Sequence, residues 1–126
     1  MANLLAIGLG GFLGAIARHG ITSWIQRGSS SPFPLGILVT NVVGCFLMGI
    51  LLYLVQEREF FTPATRGFLM VGVLGAMTTF SAFSMETIRL AQSGRWIFAL
   101  VNVMASVLLC LGALVLGRFL MRTIAS

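Results

Sequence analysis

The chain has 126 residues, of which 58% are hydrophobic and 9% are charged, and its mean hydropathy is +1.02. A soluble domain carries roughly 25% charged residues, so this composition excludes a soluble globular protein and predicts an all-α integral membrane protein. At about 20 residues per spanning helix, the length accommodates one membrane domain of four helices over residues 1–126. The net charge of +5 does not indicate a nucleic-acid partner, because the eight basic residues are all Arg and are scattered at predicted helix ends.

The first two spans are predicted at about residues 3–26 and 35–55, joined by a Gly-, Ser- and Pro-rich loop at 28–34. The first span is interpreted as retained and not as a signal peptide, because Ala15–Ala17 is followed at once by Arg18 and more of the same pattern. Gly10 and Gly14 are four residues apart in it, which suits close helix packing or reflects the general abundance of Gly in membrane helices.

The third span is predicted at 63–92, with Thr62 as its cap and Pro63 at its first helical position. It is expected to be broken near 75–79. A tight turn at 93–95 then leads to a last span at about 96–120. Cys45 and Cys110 lie in apolar runs without metal-ligand spacing, and each is interpreted as a small buried hydrophobe.

The most informative segment is the polar run from Gly75 to Glu86, which interrupts the third span. Irregular backbone is tolerated at membrane depth only where it lies against protein or lines a cavity, so the run predicts a permeation or binding site. The alternative is an ordinary helix whose Thr and Ser hydroxyls bond back to its own backbone. Phe80 and Phe83, three residues apart, would present ring edges beside the hydroxyls of this run.

Asn41 in the second span adds an amide with two N–H donors, although such a residue can equally join two helices. Hydroxyl, amide and ring-edge donors suit a small anion that must be partly desolvated and then released. Carbonyls freed at the break, from Gly75 and Thr78, would suit a hard cation such as Na⁺. Arg18 and Glu86 are ionisable residues within spans, so each is a candidate functional residue or a stabilising one.

Enzymatic chemistry is not predicted, since the chain has no Asp or Lys and only three Glu. No Walker-type glycine loop is present, which excludes a nucleotide partner of that kind. Four arginines fall on either side of the four-span arrangement, so the positive-inside rule gives no orientation. One side holds Arg58, Arg66, Arg118 and Arg122, and the other holds Arg18, Arg27, Arg89 and Arg95. This balance predicts dual topology and an antiparallel homodimer; the alternative is a weakly biased monomer oriented by a partner.

Over almost its whole length the chain resembles the Fluc (CrcB-type) fluoride channels. The resemblance lies in the segments 11–18, 36–44 and 75–86, of which the last is the most specific. It implies a dual-topology antiparallel dimer in the bacterial plasma (inner) membrane, with two fluoride pores and a central structural Na⁺. Such a channel would let fluoride leak out passively and lower its toxicity.

The resemblance also implies roles for individual residues. Phe80 and Phe83 would be the pore aromatics and Asn41 the pore amide, and Arg18 would lie near the vestibule. The polar path beside them would comprise Thr79, Ser81, Ser84 and Glu86. Gly75 and Thr78 would supply the Na⁺ carbonyls. Ile37 and Ala82 depart from the family, which commonly has Thr at both places, and Cys110 and Leu114 add little polarity to the last span.

Two other functions fit four short spans. A small multidrug-type proton-coupled transporter needs a carboxylate in the first span, and residues 4–17 contain none. A subunit of a larger membrane complex would leave the polar break unexplained. A fluoride exchanger would need a proton relay, for which no candidate is apparent, so passive conduction fits better.

Overall fold

The structure is a computed structural model that describes residues 1–125, and within that range every regular element is helical. Helix α1 is Ala2–Arg27 and α2 is Leu35–Arg58. The third span comprises α3 (Pro63–Arg66), a π-helix (Gly67–Leu74), α4 (Gly75–Met77) and α5 (Phe80–Gln92), and α6 is Trp96–Ala125. Four segments are long and apolar enough to cross a membrane: Ala2–Arg27, Leu35–Arg58, Pro63–Gln92 and Trp96–Ala125.

The third span begins as its sequence predicts. Thr62 caps α3, because its side-chain oxygen accepts a hydrogen bond from the Thr65 N–H at 3.2 Å, and Pro63 occupies the first turn. The eight-residue π-helix that follows has no counterpart in the sequence-based prediction. Within it, Gly67 and Gly72 pack closely against α1. π-Helical turns are frequent at functional sites, and this segment leads directly into the break.

Glycines set the separation of the helices. A Cβ added at Gly10 or Gly14 would collide with the carbonyls of Phe68 and Val73 in the π-helix. The close-packing interpretation of this glycine pair is therefore confirmed. In the same way Gly49 of α2 meets the Leu114 carbonyl of α6. In lipid, where apolar burial does not drive association, such close backbone contacts hold helices together.

The two most deeply buried large side chains are both polar. Thr40 and Asn102 are each only 2% exposed. The Thr40 hydroxyl donates to the Gly36 carbonyl at 2.7 Å and lies 3.1 Å from the Thr22 hydroxyl, which ties α1 to α2. Large apolar side chains instead lie mostly on the outer surface, as expected for helices that face lipid or another protein.

The four spans alternate in direction, so chain ends and loops collect at two opposite ends of the bundle. At one end the loop residue Phe33 contacts Phe98 near the start of α6, with ring centroids 6.2 Å apart. At the other end Arg118 donates to the Glu57 carboxylate at 3.4 Å. These contacts fix which loops share an end of the molecule.

Candidate functional site

The third span is interrupted at two residues between α4 and α5. Thr78 and Thr79 are both extended, with φ/ψ of −97°/126° and −137°/129°. The Thr78 N–H and hydroxyl still donate to the Leu74 carbonyl, at 2.9 and 2.8 Å, so the helix ends there with its last carbonyl groups partly satisfied. α5 then starts afresh at Phe80.

Asn41 of α2 holds the extended backbone in place. Its Oδ1 accepts a hydrogen bond from the Thr79 N–H at 3.0 Å, and its Nδ2 donates to the Thr79 carbonyl at 3.4 Å. The amide thereby substitutes for a backbone partner, which is the condition for irregular backbone within a membrane. Of the two roles open to Asn41 from its sequence, joining two helices is confirmed, and its second N–H remains for a further acceptor.

The two hydrogen bonds between Asn41 and Thr79, called the Asn41 clamp below, also affect a neighbouring carbonyl. In a continuous helix the Thr79 N–H would donate to the carbonyl of Gly75, four residues earlier. Here that N–H is directed to Asn41, which leaves the Gly75 carbonyl without its helical donor. Gly75 is also exposed on the surface of the chain. A carbonyl oxygen that lacks its helical donor is a ligand type that hard cations accept.

A groove of about 310 Å³ opens beside the break. Of the ten residues that line it in the described part of the chain, none is Asp, Glu, Lys, Arg or His. They are Asn41, Cys45, Thr78, Thr79, Phe80, Phe83, Ser106, Val107, Cys110 and Leu111. The surface is therefore apolar with a few hydroxyl, amide and thiol groups, a lining that favours partial desolvation of a small ion without trapping it.

Phe80 and Phe83 form one wall of the groove. Their ring centroids are 5.2 Å apart and the planes are inclined at 49°. The Phe80 side chain is 78% exposed, so one chain alone leaves most of this ring uncovered. Their spacing along α5 places both rings on one face, and each ring carries a positive edge that can contact an anion.

Arg18 reaches the break from α1. Its Nη1 lies 3.5 Å from the Thr79 hydroxyl, to which it donates. Its Nε is buried and has no hydrogen-bond partner among the described residues. Thr79 is consequently contacted from two sides, by Asn41 at its backbone and by Arg18 at its side chain.

The remaining predicted path residues lie on α5 away from the groove lining. Ser81 is exposed, and the Ser84 hydroxyl donates to the Phe80 carbonyl of its own helix at 2.9 Å. Glu86 accepts from Arg89 at 2.9 Å, with side-chain exposures of 17% and 67% for the two residues. The structure thus brings Asn41, Thr78, Thr79, Phe80 and Phe83 together. It does not bring the other three to the same surface.

The sequence-based site did not include Cys45, Val107 or Leu111, and it gave Cys110 little polar role, yet all four line the groove. Ser106, a polar candidate of the last span in the sequence, also lines it. Ser106 donates to the Asn102 Oδ1 at 3.5 Å, and Asn102 Nδ2 donates to the Thr87 hydroxyl at 2.9 Å. The available signal was the four-residue spacing of Asn102, Ser106 and Cys110, which aligns them on one face of α6. The expectation that both cysteines are buried hydrophobes is wrong, since each is only partly buried.

Comparison with known proteins identifies the family. The profile of the family described as CrcB-like protein, Camphor Resistance (CrcB), matches residues 5–118. A fluoride-specific ion channel FluC of Ruminiclostridium cellulolyticum is 41% identical over 126 residues, which are 100% of this chain and 97% of the relative. FluC 1 of Methanosarcina acetivorans is 42% identical over 118 residues, which are 94% of this chain and 89% of the relative.

A third relative, the fluoride-specific ion channel FluC of Magnetococcus marinus, is 44% identical over 118 residues, 94% of this chain and 96% of the relative. The range matched by the family profile, residues 5–118, contains the polar break and most of each of the four spans. The chain therefore belongs to the CrcB-like family.

Proposed function

We propose that this chain is a passive, selective fluoride channel of the bacterial plasma (inner) membrane, which exports cytoplasmic fluoride and so lowers its toxicity. The observation that carries the proposal is the identity of 41–44% with relatives that are named fluoride-specific ion channels, over 94–100% of this chain. The same relatives argue against an enzyme. The groove at the break gives the proposal a location, because its donors are uncharged and its walls are apolar.

In the proposed path, fluoride passes the edges of Phe80 and Phe83 and exchanges water for the amide N–H of Asn41 and the hydroxyl of Thr79. The rings are 5.2 Å apart and both face the groove, which supports this assignment. Arg18 would raise the local fluoride concentration at the vestibule, as a cation beside a low-dielectric surface does.

Ser81, Ser84 and Glu86 remain proposed members of the polar path. They do not line the groove, although each lies within one turn of Phe80 or Phe83 on α5, so in a single chain they would act only where the ion leaves it. Glu86 is the one acid in the third span, and its pairing with Arg89 lessens its repulsion of an approaching anion.

We further propose an antiparallel homodimer of dual topology with one groove from each chain and therefore two pores. The sequence assigns four arginines to each side of the bundle, with Arg18 among them although it reaches the break, so the positive-inside rule favours neither orientation. An unpartnered face supports the association, because Phe80 and Gly75 are both exposed beside the break. A two-fold axis in the membrane plane would bring two such faces together.

A structural Na⁺ at the dimer centre fits the same face. The Gly75 carbonyl lacks its helical donor, and the extended conformation of Thr78 takes its carbonyl out of the helical pattern. Two chains would then supply four carbonyl oxygens, a ligand type suited to a hard monovalent cation. Bound Na⁺ would join the two broken helices without taking part in conduction.

The alternatives are less well supported. A proton-coupled multidrug transporter lacks the acid that it needs in the first span, since α1 contains no Asp or Glu. A role only as a subunit of a larger complex does not account for an uncharged groove beside a clamped break.

Fluoride efflux from liposomes that contain the purified protein tests the function. Release should be fast, should follow the membrane potential set with a potassium ionophore, and should not occur with chloride. No fluoride release from a protein that is shown to be dimeric would contradict the proposal. A reporter fused to the C-terminus tests the topology separately, and its appearance on only one face of the membrane would exclude dual topology.

A further inference from the structure

The two cysteines of the chain, 65 positions apart in sequence, lie side by side on the groove. Cys45 is on α2 and Cys110 is on α6, and both line the groove beside Phe80 and Phe83. Both side chains therefore reach the same cavity from two facing helices. Neither is in a disulfide and neither is fully buried.

The packing of α2 on α6 explains why the two thiols meet. The helices run in the same direction, and Gly49 contacts the carbonyl of Leu114, while Gly117 contacts that of Phe46. Cys45 is four residues before Gly49 and Cys110 is four residues before Leu114, so one helical turn back on each helix brings them to one level. The absence of side chains at both glycines lets the helices approach closely enough for contact between their neighbours.

Two adjacent sulfur atoms on separate rigid helices are a donor set for a soft metal ion. Thiolates select ions such as Cu⁺ over hard cations, and ions that take two ligands in a linear arrangement need no third residue. Within residues 1–125 no group of three or more His, Cys, Asp or Glu side chains exists that could hold a metal. A metal bound at this point would therefore be one that accepts two sulfurs alone.

We propose that Cys45 and Cys110 form a two-thiol site that binds one thiophilic metal ion, of the class of Hg²⁺, Ag⁺ and Cu⁺, within the groove. Binding of HgCl₂ breaks two S–H bonds and two Hg–Cl bonds and forms two Hg–S bonds. Two protons and two chloride ions are released, and no oxidation state changes. HgCl₂ is uncharged, so it can reach the thiols from the lipid or from the groove.

If the chain conducts fluoride as proposed above, an occupied site obstructs the path between the aromatic pair and Ser106. A metal ion placed among the ten lining residues of a 310 Å³ groove displaces the water or fluoride that would pass. Because Hg²⁺ bound to two thiolates is neutral overall, the metal acts by filling the groove and not by holding an anion. Fluoride conduction is accordingly expected to be sensitive to thiophilic metals and restored by a dithiol.

The experiment has a binding arm that does not depend on conduction. The purified full-length protein and its Cys45→Ser and Cys110→Ser variants are treated with HgCl₂, washed with a monothiol, and examined by intact-mass spectrometry. The parent should retain one mercury per chain in place of two protons. Each variant should lose its mercury at a monothiol concentration on the order of 100-fold lower, because only the parent holds the metal at two points.

The second arm measures fluoride efflux from liposomes before and after HgCl₂, with each variant compared with its own untreated flux. The parent should lose its flux over the concentration range in which mercury binds and regain it with dithiothreitol. The variants should recover with the monothiol alone. Retention of two mercury atoms per chain, equal retention by parent and variants, or full flux with mercury bound would overturn the proposal.

The two arms separate this inference from the proposed function. If the untreated parent shows no fluoride flux, the channel proposal fails, and the mass measurement alone then decides whether the thiol pair binds the metal. If the untreated parent conducts fluoride but no mercury is retained, the two-thiol site is wrong and the channel proposal stands.

Discussion

Replacement of Asn41 by Leu tests whether one amide maintains the break in the third span. Leu is similar in size but removes both hydrogen bonds to Thr79, at 3.0 and 3.4 Å. The Thr79 N–H then has no partner, and an unsatisfied buried donor costs about 1–3 kcal/mol. The longer bond to the carbonyl adds little, because a carbonyl is more readily left under-satisfied.

The expected loss is toward the low end of that range. Asn41 and Thr79 are both only partly buried on the groove, so water can replace part of what is lost. Side-chain hydrogen bonds within membranes average about 0.6 kcal/mol. We therefore expect a loss of about 1.5 kcal/mol, which corresponds to roughly a tenfold change in the unfolding equilibrium.

The free energy of unfolding is measured by titrating the protein in mixed micelles with a denaturing detergent, at one fixed protein concentration, and following the fluorescence of its two Trp residues. Val43→Ala is the matched control, since Val43 lies on the same helix and is 45% exposed. It should change stability by less than about 0.5 kcal/mol. A loss for Asn41→Leu no larger than that of the control would refute the clamp.

Three further predictions concern the site and the packing. Phe80→Ile should reduce fluoride efflux roughly fivefold or more, since about 1 kcal/mol of ring-edge contact is removed. The control Phe119→Ile, on an exposed face of α6, should conduct normally. Equal flux for the two variants would show that Phe80 is only a lipid contact. Glu86→Gln should keep most of the fluoride flux. It should change the free energy of unfolding by less than about 1 kcal/mol, because its partner Arg89 is 67% exposed. Complete loss of flux from an intact dimer would show that the charge itself is needed. Gly49→Ala should destabilise the protein by about 1–3 kcal/mol, since the added Cβ collides with the backbone of α6. In the same detergent titration the control Gly20→Ala should be neutral or slightly stabilising, because a Cβ at Gly20 contacts no other atom.

The membrane class and the four spans follow from composition and hydropathy, which are sums over many residues and do not depend on how the helices pack. Thr62 as a helix cap was likewise predictable, because capping is local and involves residues three apart. The interruption of the third span was also visible in its polar residues. The sequence placed it near 75–79, and the structure narrows the extended residues to Thr78 and Thr79, the second of which is held by Asn41, 38 positions away.

The site depends on contacts that no local pattern specifies. Asn41 offered two roles in the sequence, and only the approach of α2 to the break selects the hydrogen bonds that it makes. In the π-helix at 67–74, Gly67 and Gly72 lie directly against α1. Cys45 and Cys110 share one groove because α2 and α6 pack closely at Gly49 and Gly117. Hydropathy determines that a segment enters the membrane, whereas the pairing of its polar atoms depends on which helices come into contact there.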